Sequence, residues 1–268
     1  MKVLVITGGS DGIGAEMARQ WAARDGQGIA LVLAARSIDK LEAVAGQCRS
    51  HGAQVLARRC DVELQDECIA LVQATIEAFG RIDILVNNAG MSAHALFADV
   101  ADLGWYERLM RINLWGSVWC THAALPHLKA TRGRIVAVAS LAGLVGVPGR
   151  TAYSATKFAM IGFFEALRVE LAPAGVSVTI ACPGVVATQI RQRGFDASGR
   201  PAGKSGLDER GAMSVERCAR LIVEGSEARR RDIVMSAKGR LGRWLKLLAP
   251  GVVDRLALKA LTQEARPR

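Results

Sequence analysis

Short apolar runs alternate with longer stretches in which apolar positions recur every three or four residues. The runs Val3-Leu4-Val5-Ile6-Thr7, 30–34, Ile84-Leu85-Val86 (with Ile82 just ahead), 134–139 and 176–181 are nearly continuous. That is the pattern of strands buried on both faces. Residues 54–58 form a weaker run and 232–235 a short last one. Between them, helical spacing covers 15–23, 38–49, 64–78, 103–129 and 152–172, and Ser214 opens a further helix. In 64–78 the apolar face is Leu64, Cys68, Leu71, Val72 and Ile76, and Ser37 stands as an N-cap before Ile38. Strands alternating with helices predict a three-layer, doubly wound α/β fold with a parallel sheet. No internal repeat or linker divides residues 1–238, so they read as one domain.

In such a fold ligands bind where the strands end. Those exits are Gly8 to Gly14, Arg36-Ser37, Asn87 to Gly90, Ser140 and Pro183-Gly184. The first is the most distinctive: Gly8-Gly9-Ser10-Asp11-Gly12-Ile13-Gly14 between a strand and a helix. Glycine permits a sharp bend and lets a phosphate approach the backbone. The helix behind it aims free amides and a partial positive charge at that anion. The same residues fit a G-x-S-x-G nucleophile elbow, but with only seven residues ahead of them a hydrolase is not expected.

Composition narrows the chemistry. The six cysteines form no C-x-x-C and the four histidines no H-E-x-x-H, so neither a zinc site nor a disulfide scaffold is indicated. With no apolar run of membrane-spanning length and no visible leader, a cytoplasmic protein is expected. The net charge of +10 is uneven: residues 1–190 hold 17 Lys and Arg against 16 Asp and Glu, and residues 191–268 hold 18 against 9. The charge lies in the last part of the chain, with no aromatic platform to suggest nucleic acid.

Only two tyrosines exist. Tyr153 has Lys157 four residues on, which on a helix places phenol and ammonium on one face. A neighbouring ammonium favours the phenolate, and such a phenol exchanges a proton with a substrate oxygen. Taken alone, such a pair more often belongs to a solvated helix face.

The turn Thr7-Gly8-x-x-x-Gly12-x-Gly14, Asn87-Asn88-Ala89-Gly90, Asn113, Ser140, Tyr153-x-x-x-Lys157 and Pro183-Gly184 occur together in that order. Over about residues 1–190 this set resembles the short-chain dehydrogenase/reductase family. The resemblance implies a nicotinamide-dependent oxidoreductase on a Rossmann fold of about seven strands, with no metal. It implies Tyr153 as proton donor in reduction and acceptor in oxidation. It implies that Lys157 eases that transfer and holds the nicotinamide ribose, that Ser140 orients the substrate oxygen, and that Asn113 holds a water in a relay through Lys157. Asn88, Ala89 and Gly90 would border the cofactor, Asp61 and Val62 the adenine, and Pro183, Gly184, Val186 and Thr188 the carboxamide. Homodimers or homotetramers would form through the helices at 103–129 and 152–172.

An acid about twenty residues past the glycines would mark NAD. Here Arg36-Ser37 occupies that exit, and Arg36 is a forked partner for a 2′-phosphate. Arg36 stacked on the adenine is the alternative. Asp11 argues against NADP, because it stands where NADP-using relatives often carry Lys or Arg. The expectation is NADP(H) over NAD(H). The segment at about 190–213 would be a mobile substrate loop. Residues 239–268 are basic and apolar at helical spacing, with Trp244 and several leucines. This extension resembles that of membrane-associated family members acting on lipid or steroid carbonyls. An ordinary helix packed on the protein fits the same pattern. The composite expectation is an oxidoreductase of hydrophobic ketones or secondary alcohols, with peripheral membrane contact through the extension. The alternatives are an NAD(H) dehydrogenase of a small polar alcohol and a catalytically silent dinucleotide-binding regulator.

Overall fold

The computed structural model describes residues 1–205 and 211–264. Seven strands form one sheet in the order β3-β2-β1-β4-β5-β6-β7, every pair parallel. They are β1 (Lys2–Thr7), β2 (Ile29–Ala35), β3 (Gln54–Arg59), β4 (Ile84–Asn87), β5 (Arg134–Val138), β6 (Ser177–Cys182) and β7 (Asp232–Val234). Helices α1 (Gly12–Asp25), α2 (Ile38–Ser50) and α3 (Gln65–Phe79) connect the first four strands. They are followed by α4 (Gly104–Met110), α5 (Gly116–Ala130), α6 (Thr151–Leu171), α7 (Val215–Glu227), α8 (Ala237–Leu248) and α9 (Pro250–Glu264).

The doubly wound expectation holds, and its cause is visible in burial. β1, β2 and β4 are buried almost throughout, because helices cover both faces of the sheet. One core packs α1, α2 and α7 on one face, through Trp21, Leu41 and Ile222. The other packs α3, α5 and α6 on the opposite face, through Leu71, Ala124 and Phe164. The chain runs outward from β1 to β3, then returns to β4 on the other side of β1. The exits of β1 and β4 therefore flank the point where strand order reverses, which is where such sheets bind ligands.

The single helix expected at 103–129 is interrupted. Residues Arg111–Trp115 form one π-helical turn between α4 and α5. The wider turn inserts one residue's rotation and directs Asn113 inward, where it is fully buried. Ser37 does precede α2, but its hydroxyl makes no capping bond; Ser214 does cap α7, accepting from the Arg217 amide at 3.2 Å.

The end of the sheet opposite the crevice, where the strands begin, is closed by charge. Glu227, at the end of α7, pairs with Lys2 at 3.3 Å, Arg24 at 2.8 Å and Arg134 at 2.9 Å, and accepts from Trp21 Nε1 at 3.2 Å. Asp83 accepts the Val3 amide at 2.8 Å and pairs with Arg81.

Candidate active site

A cavity of about 790 Å³ opens at the strand exits. Of the residues expected at the site, Gly8, Ser10, Asp11, Gly12, Ile13, Arg36, Ser37, Asp61, Val62, Asn88, Ala89, Gly90, Ser140, Tyr153, Lys157, Pro183, Gly184, Val186 and Thr188 all line it. Gly14 and Asn113 do not. They shape it from behind.

The glycine turn is held by contacts too close for any side chain. Gly8 has φ +69°, and a Cβ built on Gly14 would lie 2.2 Å from the Gly8 carbonyl oxygen. Thr7 joins this turn to the exit of β4: its Oγ1 accepts the Asn88 and Ala89 amides, both at 3.1 Å. Asn88 Nδ2 in turn donates to the Thr7 and Gly8 carbonyls at 3.0 and 3.2 Å. At the start of α1, Asp11 takes the Gly12 amide at 2.7 Å. The Ile13 and Gly14 amides that follow have no acceptor among the described residues. A turn stripped of side chains, with free amides at a helix N-terminus, fits a pyrophosphate.

The catalytic candidates come from three elements. Ser140 lies two residues past β5 and caps a single 3-10 turn, its Oγ accepting the Ala142 amide at 3.2 Å. One acceptor position is thus used, and the hydroxyl proton remains to be donated into the cavity. Gly143 lets that turn press against α6, since a Cβ there would lie 2.6 Å from the Lys157 carbonyl oxygen. Tyr153 and Lys157 sit on the first two turns of α6, both buried. The Lys157 Nζ lies 5.8 Å from the Tyr153 ring centroid.

Lys157 is the electrostatic anomaly. Its Nζ donates to the Val138 carbonyl at 3.0 Å and sits 3.7 Å from Met160 Sδ. No carboxylate pairs with it among the described residues. Burial pushes its ammonium down from the usual lysine range, and the Tyr153 and Cys182 groups pull the other way. An ammonium has three protons to donate, and one oxygen receives one of them. The remainder suits a ligand rich in hydroxyls, such as a ribose.

Asn113 holds the floor in place. Its Oδ1 accepts the Met91 amide at 2.8 Å, while Nδ2 donates to the Met91 carbonyl and to Thr156 Oγ1, both at 3.0 Å. The side-chain amide thus ties the loop after β4 to α6. A Cβ on Gly90 would lie 3.1 Å from Asn113 Oδ1 and 3.7 Å from Lys157 Nζ, so the three residues converge at one point.

Lys40, Arg150, Arg191 and Arg193, four cations that the sequence reading passed over, also line the cavity. Lys40 lies on the first turn of α2 beside Arg36 and Ser37; its spacing of four from Arg36 was the available signal. Arg150 precedes α6, with its guanidinium 4.4 Å from the Tyr153 ring centroid, and donates to Ser92 and to the Ala93 carbonyl. Arg193 reaches the cavity from the segment after β6. That segment, expected to be a mobile loop, is anchored where it is described. Phe195 is buried against Trp105, donates its amide to the Ser92 carbonyl at 3.0 Å and accepts from the His94 amide at 2.9 Å. Residues 206–210 of that loop, and the last four residues of the extension, lie outside the described residues.

Comparison with known proteins points the same way. The short chain dehydrogenase family matches residues 2–198. The chain is 47% identical over 186 residues to the 11-beta-hydroxysteroid dehydrogenase-like 4A protein of Arabidopsis thaliana, covering 69% of this chain and 61% of that protein. It is 37% identical over 259 residues to 11-beta-hydroxysteroid dehydrogenase A of Sesamum indicum, covering 94% and 73%. Among solved structures it resembles a short-chain dehydrogenase from Sphingobium yanoikuyae in complex with NADPH, with a TM-score of 0.78, 28% identity and coverage of 95% and 96%. An alcohol dehydrogenase from Thermococcus sibiricus complexed with 5-hydroxy-NADP gives 0.74 and 26%, with coverage of 87% and 94%. On the family match and the fold together, the chain belongs to the short-chain dehydrogenase family.

Proposed function

We propose that the protein is an NADP(H)-preferring oxidoreductase interconverting hydrophobic ketones and secondary alcohols. The observation that carries the proposal is the convergence of Ser140, Tyr153 and Lys157 with the glycine turn on one cavity. A nicotinamide dinucleotide, when bound, supplies or accepts the hydride. Gly8 to Gly14 hold its pyrophosphate, Arg36 and Lys40 its 2′-phosphate, and Lys157 its nicotinamide ribose. Ser140 donates its free hydroxyl proton to the substrate oxygen and fixes its position. Tyr153 gives its phenolic proton to that oxygen in reduction and takes it back in oxidation. The Lys157 ammonium stabilises the phenolate left behind. Asn113 keeps Met91 and α6 in register, so that the tyrosine faces the substrate at a fixed distance. Relatives named for hydroxysteroid dehydrogenases, and neighbours complexed with NADPH and 5-hydroxy-NADP, support this substrate class and cofactor.

The C-terminal extension supports a water-insoluble substrate. α8 packs over the active-site rim: Gly239 lies against Leu141, which lines the cavity, and Lys246 donates to the Leu144 carbonyl at 3.2 Å. Its outer face carries Leu241, Trp244 and Leu248, 65%, 64% and 82% exposed. Lys238 and Arg240 are exposed beside them. Apolar residues rimmed by cations suit an anionic membrane surface. No helix among the described residues is long and apolar enough to cross a membrane. Exposed Trp115 and Val169, on the faces of the π turn and α6, suit a second copy of the chain.

NADPH consumption with steroid, long-chain and aromatic ketones, set against small polar ketones, tests the function. Turnover confined to small polar ketones with NADH would favour the other reading. Flotation with anionic liposomes tests the extension: Trp244→Ala with Leu248→Ala is expected to lose binding, and unchanged flotation would refute membrane contact.

A further inference from the structure

The glycine turn contains one acid, and its charge opposes every phosphate that a dinucleotide brings. Asp11 does not stand alone. Its Oδ2 accepts from the guanidinium of Arg193, which arrives from the segment after β6 and also donates to Gln189 Oε1 at 3.1 Å. Both side chains line the cavity with Arg36 and Lys40. Burial acts to raise the Asp11 carboxyl, but the hydrogen bonds from Arg193 and the Gly12 amide, with the charges of Arg193 and Lys40, outweigh it and hold the group below the usual carboxylate range. Asp11 is therefore ionised at neutral pH, within the field of Lys40.

We propose that Arg193 selects the cofactor: by pairing with Asp11 it cancels the acid of the turn and leaves Arg36 and Lys40 to attract the 2′-phosphate of NADP(H). The proposal rests on the dinucleotide reading of the cavity. The two cofactors differ only at that phosphate, which is doubly charged near neutral pH. An unpaired Asp11 repels a phosphate strongly and a 2′-hydroxyl hardly at all. The pair is about half exposed, so solvent screens it and the effect is moderate. Arg193 lies on the same segment as Phe195, which packs against Trp105 in the buried cluster that also holds Tyr153. Docking of that segment and selection of the phosphate therefore share one contact, and each is expected to favour the other.

The test is equilibrium titration of the full chain with NADPH and NADH, for wild type, Arg193→Met, Asp11→Asn and the double variant. Arg193→Met is expected to lower the NADPH-over-NADH preference by about five- to tenfold. In the Asp11→Asn background the same change is expected to lower it by less than about twofold. Arg193→Lys is expected to restore most of the preference, and raised salt to shrink the Arg193→Met effect. Equal losses for both cofactors would overturn the proposal. So would a full loss that persists in the Asp11→Asn background, since Arg193 would then act on the phosphate itself. A wild type that binds neither dinucleotide overturns the reading beneath it; one that binds both, with a preference indifferent to Arg193, overturns this inference alone.

Discussion

The two ends of the sheet use charge in opposite ways. At the end opposite the crevice, carboxylates and cations pair with one another: Glu227 draws Lys2, Arg24 and Arg134 together and so joins α7, β1, α1 and β5. At the crevice end, Lys157 is buried with no carboxylate partner among the described residues, and Arg36 and Lys40 line open space. A charge paired where the strands begin stabilises the fold, whereas one paired at the crevice, as Arg193 is with Asp11, faces the ligand cavity. One that is buried or gathered without a partner is held ready for a ligand. Stability and function are thus separable along each strand, with separate demands on the two ends.

The largest expected effect lies in the glycine turn. Gly14→Ala would drive a Cβ into the Gly8 carbonyl. NADPH affinity is expected to fall by about a hundredfold or more, read by fluorescence titration, with the circular dichroism of the sheet retained. Arg36→Ala comes next. It should weaken NADPH by about ten- to thirtyfold and NADH by less than about twofold; equal losses would mean that Arg36 stacks on the adenine. The smallest effect is at the other end. Burial acts to raise the Glu227 carboxyl, but the hydrogen bond from Arg24 and the charges of Arg134 and Lys2 hold it down to about 2. A depressed carboxyl stabilises the folded state fully above its unfolded value near 4.5, and that stability drains away as pH falls toward 2. Glu227→Gln should therefore cost about 2 kcal/mol at pH 7 and almost nothing at pH 2 by urea unfolding, with cofactor affinity unchanged. A loss of NADPH binding in Glu227→Gln would break the separation of the two ends.

What the sequence made legible follows the same physics. The glycine turn, the apolar strand runs and the Tyr153–Lys157 spacing could be read because each is a local backbone requirement: no Cβ, burial on both faces, one helix face. The π turn at Arg111–Trp115 could not, since one added residue leaves the apolar period almost intact. Lys40 and Arg193 were missed for another reason. Lys40 depends on how α2 is rotated, and Arg193 on a loop returning across 182 residues to meet Asp11. Asp11 itself was visible in the glycine turn, but its pairing with Arg193 was not.

The central claim is that Tyr153 moves the proton for carbonyl reduction while the turn and Arg36 bind the cofactor independently of it. It is tested by NADPH-dependent ketone reduction by Tyr153→Phe, with NADPH affinity measured on the same preparation. The account predicts a fall in kcat of about a thousandfold or more with affinity within about twofold of wild type. Reduction at the wild-type rate by the phenylalanine variant would contradict it.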